Sequence, residues 1–286
     1  MNFNVENILV IGLGMIGSSI AVAAKSKGIK VHGYDLNENV VKRAIDESII
    51  DASIKSLEEI NTNDIDLIIL AVPPKKTLEL FNSLDYLWNT NVTITDTSSV
   101  KNHIKLNNVN NIVLSHPIAG SDKSGIDALD KNLFIEKKNI ICNPFEALNE
   151  HVKKVENFWV NALNMRVEMM TVADHDLIFA MTSHLPHLVS YALIDSIRLS
   201  NSSVKDNSGG GLKEFLRLSG SNSEMWRDIF ILNRVDLIKA LAGMQVSLNN
   251  LLELITETKQ IPDIFSHEEM LKSELKEIKS FKEDKF

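Results

Sequence analysis

Gly12-Leu13-Gly14-Met15-Ile16-Gly17 reads G-x-G-x-x-G, directly after the β-branched run Ile8-Leu9-Val10-Ile11 and opening an amphipathic stretch. That spacing cradles a pyrophosphate. The first glycine permits a tight turn, the second lets phosphate approach the backbone, and the third lets helix and strand pack closely. Asp35 closes the next strand-like run, where a carboxylate accepts hydrogen bonds from an adenosine ribose and repels a 2′-phosphate. Neither Leu36 nor Asn37 supplies a compensating arginine, so NAD is expected over NADP. Met15 and Ile16, with Val72 and Thr97 at the ends of later strands, complete the expected cofactor-binding set. FAD remains an alternative that the second half of the chain does not suit.

Ligands of open parallel sheets lie off the carboxyl ends of the strands. Two polar segments fall there, Thr95-Asp96-Thr97-Ser98-Ser99-Val100-Lys101 and Leu114-Ser115-His116-Pro117-Ile118-Ala119-Gly120-Ser121. His116, held by a proline just past a strand, is a candidate acid–base group. Further along stand His175-Asp176 and Ser183-His184-Leu185-Pro186-His187, in which His184 and His187 share a helix face. They read as imidazoles facing a polar substrate. A metal site is the alternative, but no cysteine joins them and no metal is expected. Of six arginines, three lie between Arg217 and Arg234, around Trp226. Arg227 and Arg234 are expected to pair with Glu224, Asp228 and Asp236, which lie near them in sequence. Arg217 stands in the apolar run Phe215-Leu216-Arg217-Leu218, where an unpaired guanidinium would be costly and a substrate carboxylate would fit it.

The elements that must carry these groups change character along the chain. Strand-like runs at 8–11, 30–34, 65–72, 92–95, 112–114 and 140–141 alternate with amphipathic stretches such as 15–27 and 40–47. Continuous apolar runs of this kind suit a doubly wound, mostly parallel α/β sheet. After Thr171 the pattern turns helical. One helix is expected from Ala173 to about Leu199. A second starts near Ser221, with Ser221-x-x-Glu224 as a capping box, and runs on through Leu248. Asn207-Ser208-Gly209-Gly210-Gly211 is a turn, and a last helix after Pro262 carries Leu271, Leu275, Ile278 and Phe281 on one stripe, expected to pack on this subunit or its neighbour. The expected domains are 1–170, Rossmann-type, and 171–286, all-helical.

Composition limits the partners. With 30 Lys+Arg against 38 Asp+Glu, a net charge of −8 argues against nucleic acid and against anionic membrane. Positive charge for an anionic ligand must then be local. No uninterrupted apolar run approaches the ~20 residues of a membrane span. The lone Cys142 lies in an apolar run and suits a reducing cytoplasm.

Together these motifs resemble the prephenate dehydrogenase family, which includes arogenate and cyclohexadienyl dehydrogenases. The resemblance runs over about residues 7–255: the glycine motif, Asp35, residues 96–101, His116-Pro117-Ile118-Ala119-Gly120, Ser124-Gly125, residues 183–187, Gly209–Gly211 and Met225-Trp226-Arg227. It implies NAD-dependent oxidative decarboxylation of prephenate, or of arogenate, on the route to tyrosine. His116 would accept from the ring hydroxyl, and Ser99 would support that hydroxyl or the histidine. His187 with His184, Arg217 and Trp226 would bind substrate. It also implies a homodimer joined through the helical domain. No chorismate mutase or ACT segment is recognised, so a short monofunctional form is expected. Alternatives are a β-hydroxy acid dehydrogenase, for which Lys213 would be the unsupported lysine, and a non-catalytic NAD sensor.

Overall fold

A computed structural model of the chain describes residues 5–121, 123–200, 209–220 and 222–285. The first strands and helices alternate: β1 (Asn7–Ile11), α1 (Met15–Lys25), β2 (Lys30–Tyr34), α2 (Glu38–Asp46), β3 (Ala52–Ser53), β4 (Leu67–Leu70), α3 (Pro74–Ser83) and β5 (Thr93–Asp96). Their five strands form one all-parallel sheet in the order β3-β2-β1-β4-β5. The central strands β1 and β4, and β5 beside them, are buried on both faces, and the period of two sorts their side chains into two cores. Ile8, Val10, Leu67 and Ile69 enter one core, while Leu9, Ile11, Ile68 and Leu70 enter the other.

The fifth and sixth expected strand runs belong elsewhere. β6 (Leu114–Pro117), β7 (Lys138–Cys142) and β8 (Arg166–Met169) make a second sheet, with β6–β7 antiparallel and β7–β8 parallel. A single parallel bridge, Ile94 to Ile112, joins it to the first sheet. Between β7 and β8 lies α4 (Asn149–Asn157). Cys142 is fully buried, and burial pushes its thiol up to about 11, so it is an inert core residue.

α5 (Val172–Phe179) is capped by Thr171, whose hydroxyl oxygen accepts from the Asp174 N–H at 3.1 Å. It continues through a π-helical turn, Ala180–His184, into α6 (Leu185–Leu199). The wide turn sits where Pro186 lacks an N–H and its ring crowds the preceding turn. By length and composition this continuous helix of 28 residues, whose most apolar 18-residue stretch has mean hydropathy 1.4, could cross a membrane. Yet His175, Asp176, His184 and Ser190 on it are all fully buried.

α7 (Gly210–Leu216) and α8 (Ser223–Leu232) follow. The cap of α8 is Asn222, whose side chain accepts from the Met225 N–H. Ser221 of the expected capping box, and Asn207 and Ser208 of the expected turn, lie outside the described residues. The second long helix of the sequence reading is broken at Asn233, which separates α8 from α9 (Arg234–Ile255).

By compactness the chain divides into residues 1–234 and 235–286. In the second unit α9 exposes Val235, Ile238, Val246, Leu248, Leu252 and Ile255. α10 (His267–Lys285) exposes Leu275, Ile278 and Phe281 of the stripe expected to pack.

Candidate active site

The nucleotide end is built from β1, the glycine turn and α1. Gly12 has φ +95°, and a Cβ there would stand 2.4 Å from the Ala71 carbonyl oxygen and 2.9 Å from Val72 Cγ1. A Cβ on Gly17 would lie 1.9 Å from the Gly12 oxygen, so the third glycine is required by packing. Around Gly14, by contrast, a Cβ would meet nothing within 4 Å. α1 begins with no side-chain cap on its N–H groups. Open space above uncapped helical N–H groups is what a pyrophosphate needs. Asp35 closes the cradle: its carboxylate accepts from Leu13 N at 2.8 Å and Asn37 N at 2.9 Å. The residues present therefore fit a dinucleotide. Met15 and Ile16 lie half-buried in the first turn of α1, and Thr97 is pinned at the end of β4 through its N–H on the Leu70 carbonyl.

The imidazole end is assembled across the chain. Lys101 is fully buried, its Nζ 2.7 Å from Asp96 Oδ2 and donating also to the Ser115 carbonyl. Asp96 Oδ1 accepts the Ser115 N–H at 3.1 Å. This buried ion pair ties the end of β5 to β6 and so fixes the residue before His116. Removing one partner would leave an uncompensated buried charge.

His116 is half-buried at the end of β6. Its Nδ1 lies 2.8 Å from His175 Nε2, and His175 Nδ1 lies 2.7 Å from Asp176 Oδ1. The Asp176 carboxylate is itself held by the N–H groups of Lys101 at 2.9 Å and Asn102 at 2.8 Å. These donors and His175 hold its pKa low against burial. Burial, with His175, Lys101 and His184 around it, pushes His116 well below its usual value; burial likewise lowers His175 despite Asp176. Both imidazoles are thus neutral near pH 7. His116 Nε2 has no hydrogen-bond partner among the described residues. Nor has the Ser99 hydroxyl, which is half-buried.

A second group gathers on Trp226. His187 stacks on the indole, ring centres 3.5 Å apart and planes 20° apart, and His184 meets it edge-on at 6.3 Å. His187 Nδ1 donates to the Ser183 carbonyl at 2.9 Å. Asn233, at the helix break, donates through Nδ2 to the Asp176 carbonyl at 2.8 Å and to His184 Nδ1 at 3.0 Å. His184 must then carry its proton on Nε2, which is buried without a partner, as is Trp226 Nε1. Burial brings His184 down to about 4. Unpaired buried donors are costly unless a ligand or water oxygen accepts from them.

Arg217 departs from the sequence reading in its surroundings. It is exposed, in the short 3₁₀ turn after α7, rather than enclosed by its apolar neighbours. Its charge nonetheless reaches His187, whose pKa it helps to lower, after burial. It makes no ion pair among the described residues. Arg227 pairs with Asp228 at 2.7 Å as expected, but Arg234 donates to the Ile231 carbonyl, and Asp236 pairs with Lys239 instead.

Sequence reasoning missed the parts of this site that act through other residues. His175-Asp176 was noticed as a dipeptide but not joined to His116, 59 residues away. In sequence Lys101 is only the last residue of a polar segment, and Asn233 carries no signal at all.

Family models described as the prephenate dehydrogenase nucleotide-binding domain and the prephenate dehydrogenase dimerization domain match residues 20–168 and 171–272. The chain belongs to the prephenate dehydrogenase family. It is an oxidoreductase of that family, which sets aside the hydroxy-acid dehydrogenase and sensor alternatives. The first match begins after the glycine turn, so that motif rests on its own geometry. A cyclohexadienyl dehydrogenase of Zymomonas mobilis is 29% identical over 247 residues, 82% of this chain and 84% of its own length. A prephenate dehydrogenase of Lactococcus lactis is 30% identical over 242 residues, 80% of this chain but only 65% of the relative. The crystal structure of prephenate dehydrogenase from A. aeolicus, in complex with hydroxyphenyl propionate and NAD+, is 32% identical with a TM-score of 0.87. It covers 99% of both chains.

Proposed function

We propose that this chain catalyses the NAD+-dependent oxidative decarboxylation of prephenate to 4-hydroxyphenylpyruvate, in tyrosine biosynthesis. The observation that carries the proposal is the His116 imidazole: neutral, engaged at Nδ1, and without a partner at Nε2. Loss of hydride from the ring carbon builds positive character there, so an acceptor on the hydroxyl assists, by about 10²–10⁴-fold. His116 takes the hydroxyl proton, and Ser99 supports that hydroxyl or the histidine. NAD+, held at the glycine turn and Asp35, supplies the hydride acceptor. Departure of CO2 leaves its electron pair in the ring, which becomes aromatic.

Arg217 holds a substrate carboxylate, and the unpaired donors of His184 and Trp226 bind substrate oxygens beside the His187 ring. On a chain of net charge −8 this local set, rather than the overall field, attracts a dianion. Arogenate is the second reading, supported by the cyclohexadienyl dehydrogenase relative. The chain works as a cytoplasmic homodimer joined through its helical part, residues 171–286. The dimerization-domain match and the exposed apolar faces of α9 and α10 support that assembly.

The test is NADH absorbance with purified protein, NAD+ and prephenate, then arogenate. NADH with prephenate supports the reading, and NADH with arogenate alone moves it to that substrate. No NADH with either overturns it.

A further inference from the structure

The chain of contacts from Asp176 to His116 has a directional consequence. An ionised carboxylate only accepts hydrogen bonds. Both Asp176 oxygens already face backbone N–H groups, and Oδ1 also lies 2.7 Å from His175 Nδ1. His175 must therefore carry its proton on Nδ1, which leaves its Nε2 bare while the ring is neutral. Only His116 can then supply the single proton of the 2.8 Å contact between His175 Nε2 and His116 Nδ1. One carboxylate, 60 residues along the chain from His116, dictates where that imidazole carries its proton.

We propose that His175, oriented by Asp176, is a positioning residue that locks His116 in the tautomer protonated on Nδ1 and so presents a bare Nε2 to the substrate hydroxyl. Neutral histidine in water favours the other tautomer, with the proton on Nε2, which could not accept. The packing of the site enforces the arrangement. His116, His175 and Phe179 form a tight aromatic cluster, with centres 4.6–5.0 Å apart, and His175 is fully buried. The charged and titratable groups around the pair are Asp176 from α5, Lys101 and Asp96 from the end of β5, and His184 from the π-helical turn.

The same wire carries the product proton. As His116 Nε2 takes the hydroxyl proton, its Nδ1 proton passes to His175 Nε2. His116 ends neutral with its proton on Nε2, and His175 ends as a cation against the Asp176 carboxylate. No proton is gained or lost within the chain beyond the one taken from substrate. The positive charge comes to rest beside a carboxylate rather than beside the ring that must lose hydride.

This use of the tautomer rests on the prephenate reading, but the tautomer itself is read without substrate. The experiment is ¹⁵N–¹H correlation of the histidine rings in the full chain, with His116→Asn assigning the signal. The expected result is a proton on His116 Nδ1 and an unprotonated Nε2 at neutral pH. In His175→Phe the signal should move to the Nε2-protonated form, and kcat should fall about a hundredfold or more with KM for prephenate nearly unchanged. His175→Gln, whose amide oxygen can still accept from His116 Nδ1, should recover part of both. A wild-type His116 protonated on Nε2 overturns the proposal, whether or not the His175 variants fold. So does a His175→Phe protein whose His116 tautomer is unchanged, whatever its activity. Absence of NADH from prephenate with the Nδ1 tautomer intact would sink the substrate reading and leave the lock standing.

Discussion

The two ends of the site are built by opposite strategies. At the nucleotide end the phosphate cradle lies within residues 12–35: three glycines, one helix start and one carboxylate 2.8 Å from the turn it closes. At the imidazole end five segments converge, from Asp96 to Asn233, and most of the contacts run between side chains or from side chain to distant backbone. Local geometry suffices to hold a phosphate, because backbone N–H groups do the work. Aiming one lone pair of one imidazole takes a buried network, since each ring has two tautomers and something must choose.

The contrast can be broken at either end. The largest expected effect is at His116. Replacement by asparagine should lower kcat by about 10²–10⁴ while prephenate KM and melting temperature stay nearly unchanged. Near-normal turnover in steady-state assays would remove His116 from the chemistry.

At the other end the glycines should separate folding from binding. Gly17→Ala places a methyl group 1.9 Å from the Gly12 oxygen and should cost about 1–3 kcal/mol or more, visible as a drop of several degrees in Tm. Gly14→Ala meets no protein atom, so Tm should hold while NAD+ affinity measured by titration calorimetry falls. If both variants lost only stability, the open space at Gly14 would not be the phosphate site.

Arg217→Gln should raise KM by about ten- to hundredfold, the range of one charge-assisted hydrogen bond, with little change in kcat. An unchanged KM would leave the exposed guanidinium without a substrate. Stability against pH should change as well. His184 is near 4 in the folded chain and about 6.5 unfolded. Between those values the unfolded chain binds the proton and the folded one does not. Stability should therefore fall as pH drops from about 6.5 to 4, with His116 and His175 acting in the same direction. A Tm flat across that window would contradict the burial of these rings.

What could be read from sequence follows the same division. Strands β1, β2, β4 and β5, with α1, the glycine turn and Asp35, were legible because each is set by neighbours within a few residues, whereas the two-residue β3 left no apolar run to read. So was the family, since residues 183–187 and 116–120 keep their order. The second sheet was not legible: Ile112–Leu114 looks like any buried strand, and nothing local says that β6 turns to pair antiparallel with β7. The length of the second helix was misread because Asn233 interrupts a periodic apolar pattern for a tertiary reason, the hydrogen bonds to Asp176 and His184. Arg217 was singled out by its apolar neighbours, yet in the fold it is exposed. Its claim now rests on nearness to His187 instead.

The central claim is that hydride leaves the hydroxyl-bearing ring carbon of prephenate while His116 takes the proton. The most direct measurement uses prephenate carrying deuterium on that carbon, with NAD+ and the full chain. The account predicts one reduced nucleotide and one CO2 per substrate, with the deuterium found on the reduced nicotinamide ring. Reduced nucleotide without deuterium, or deuterated product with no reduced nucleotide, would contradict it.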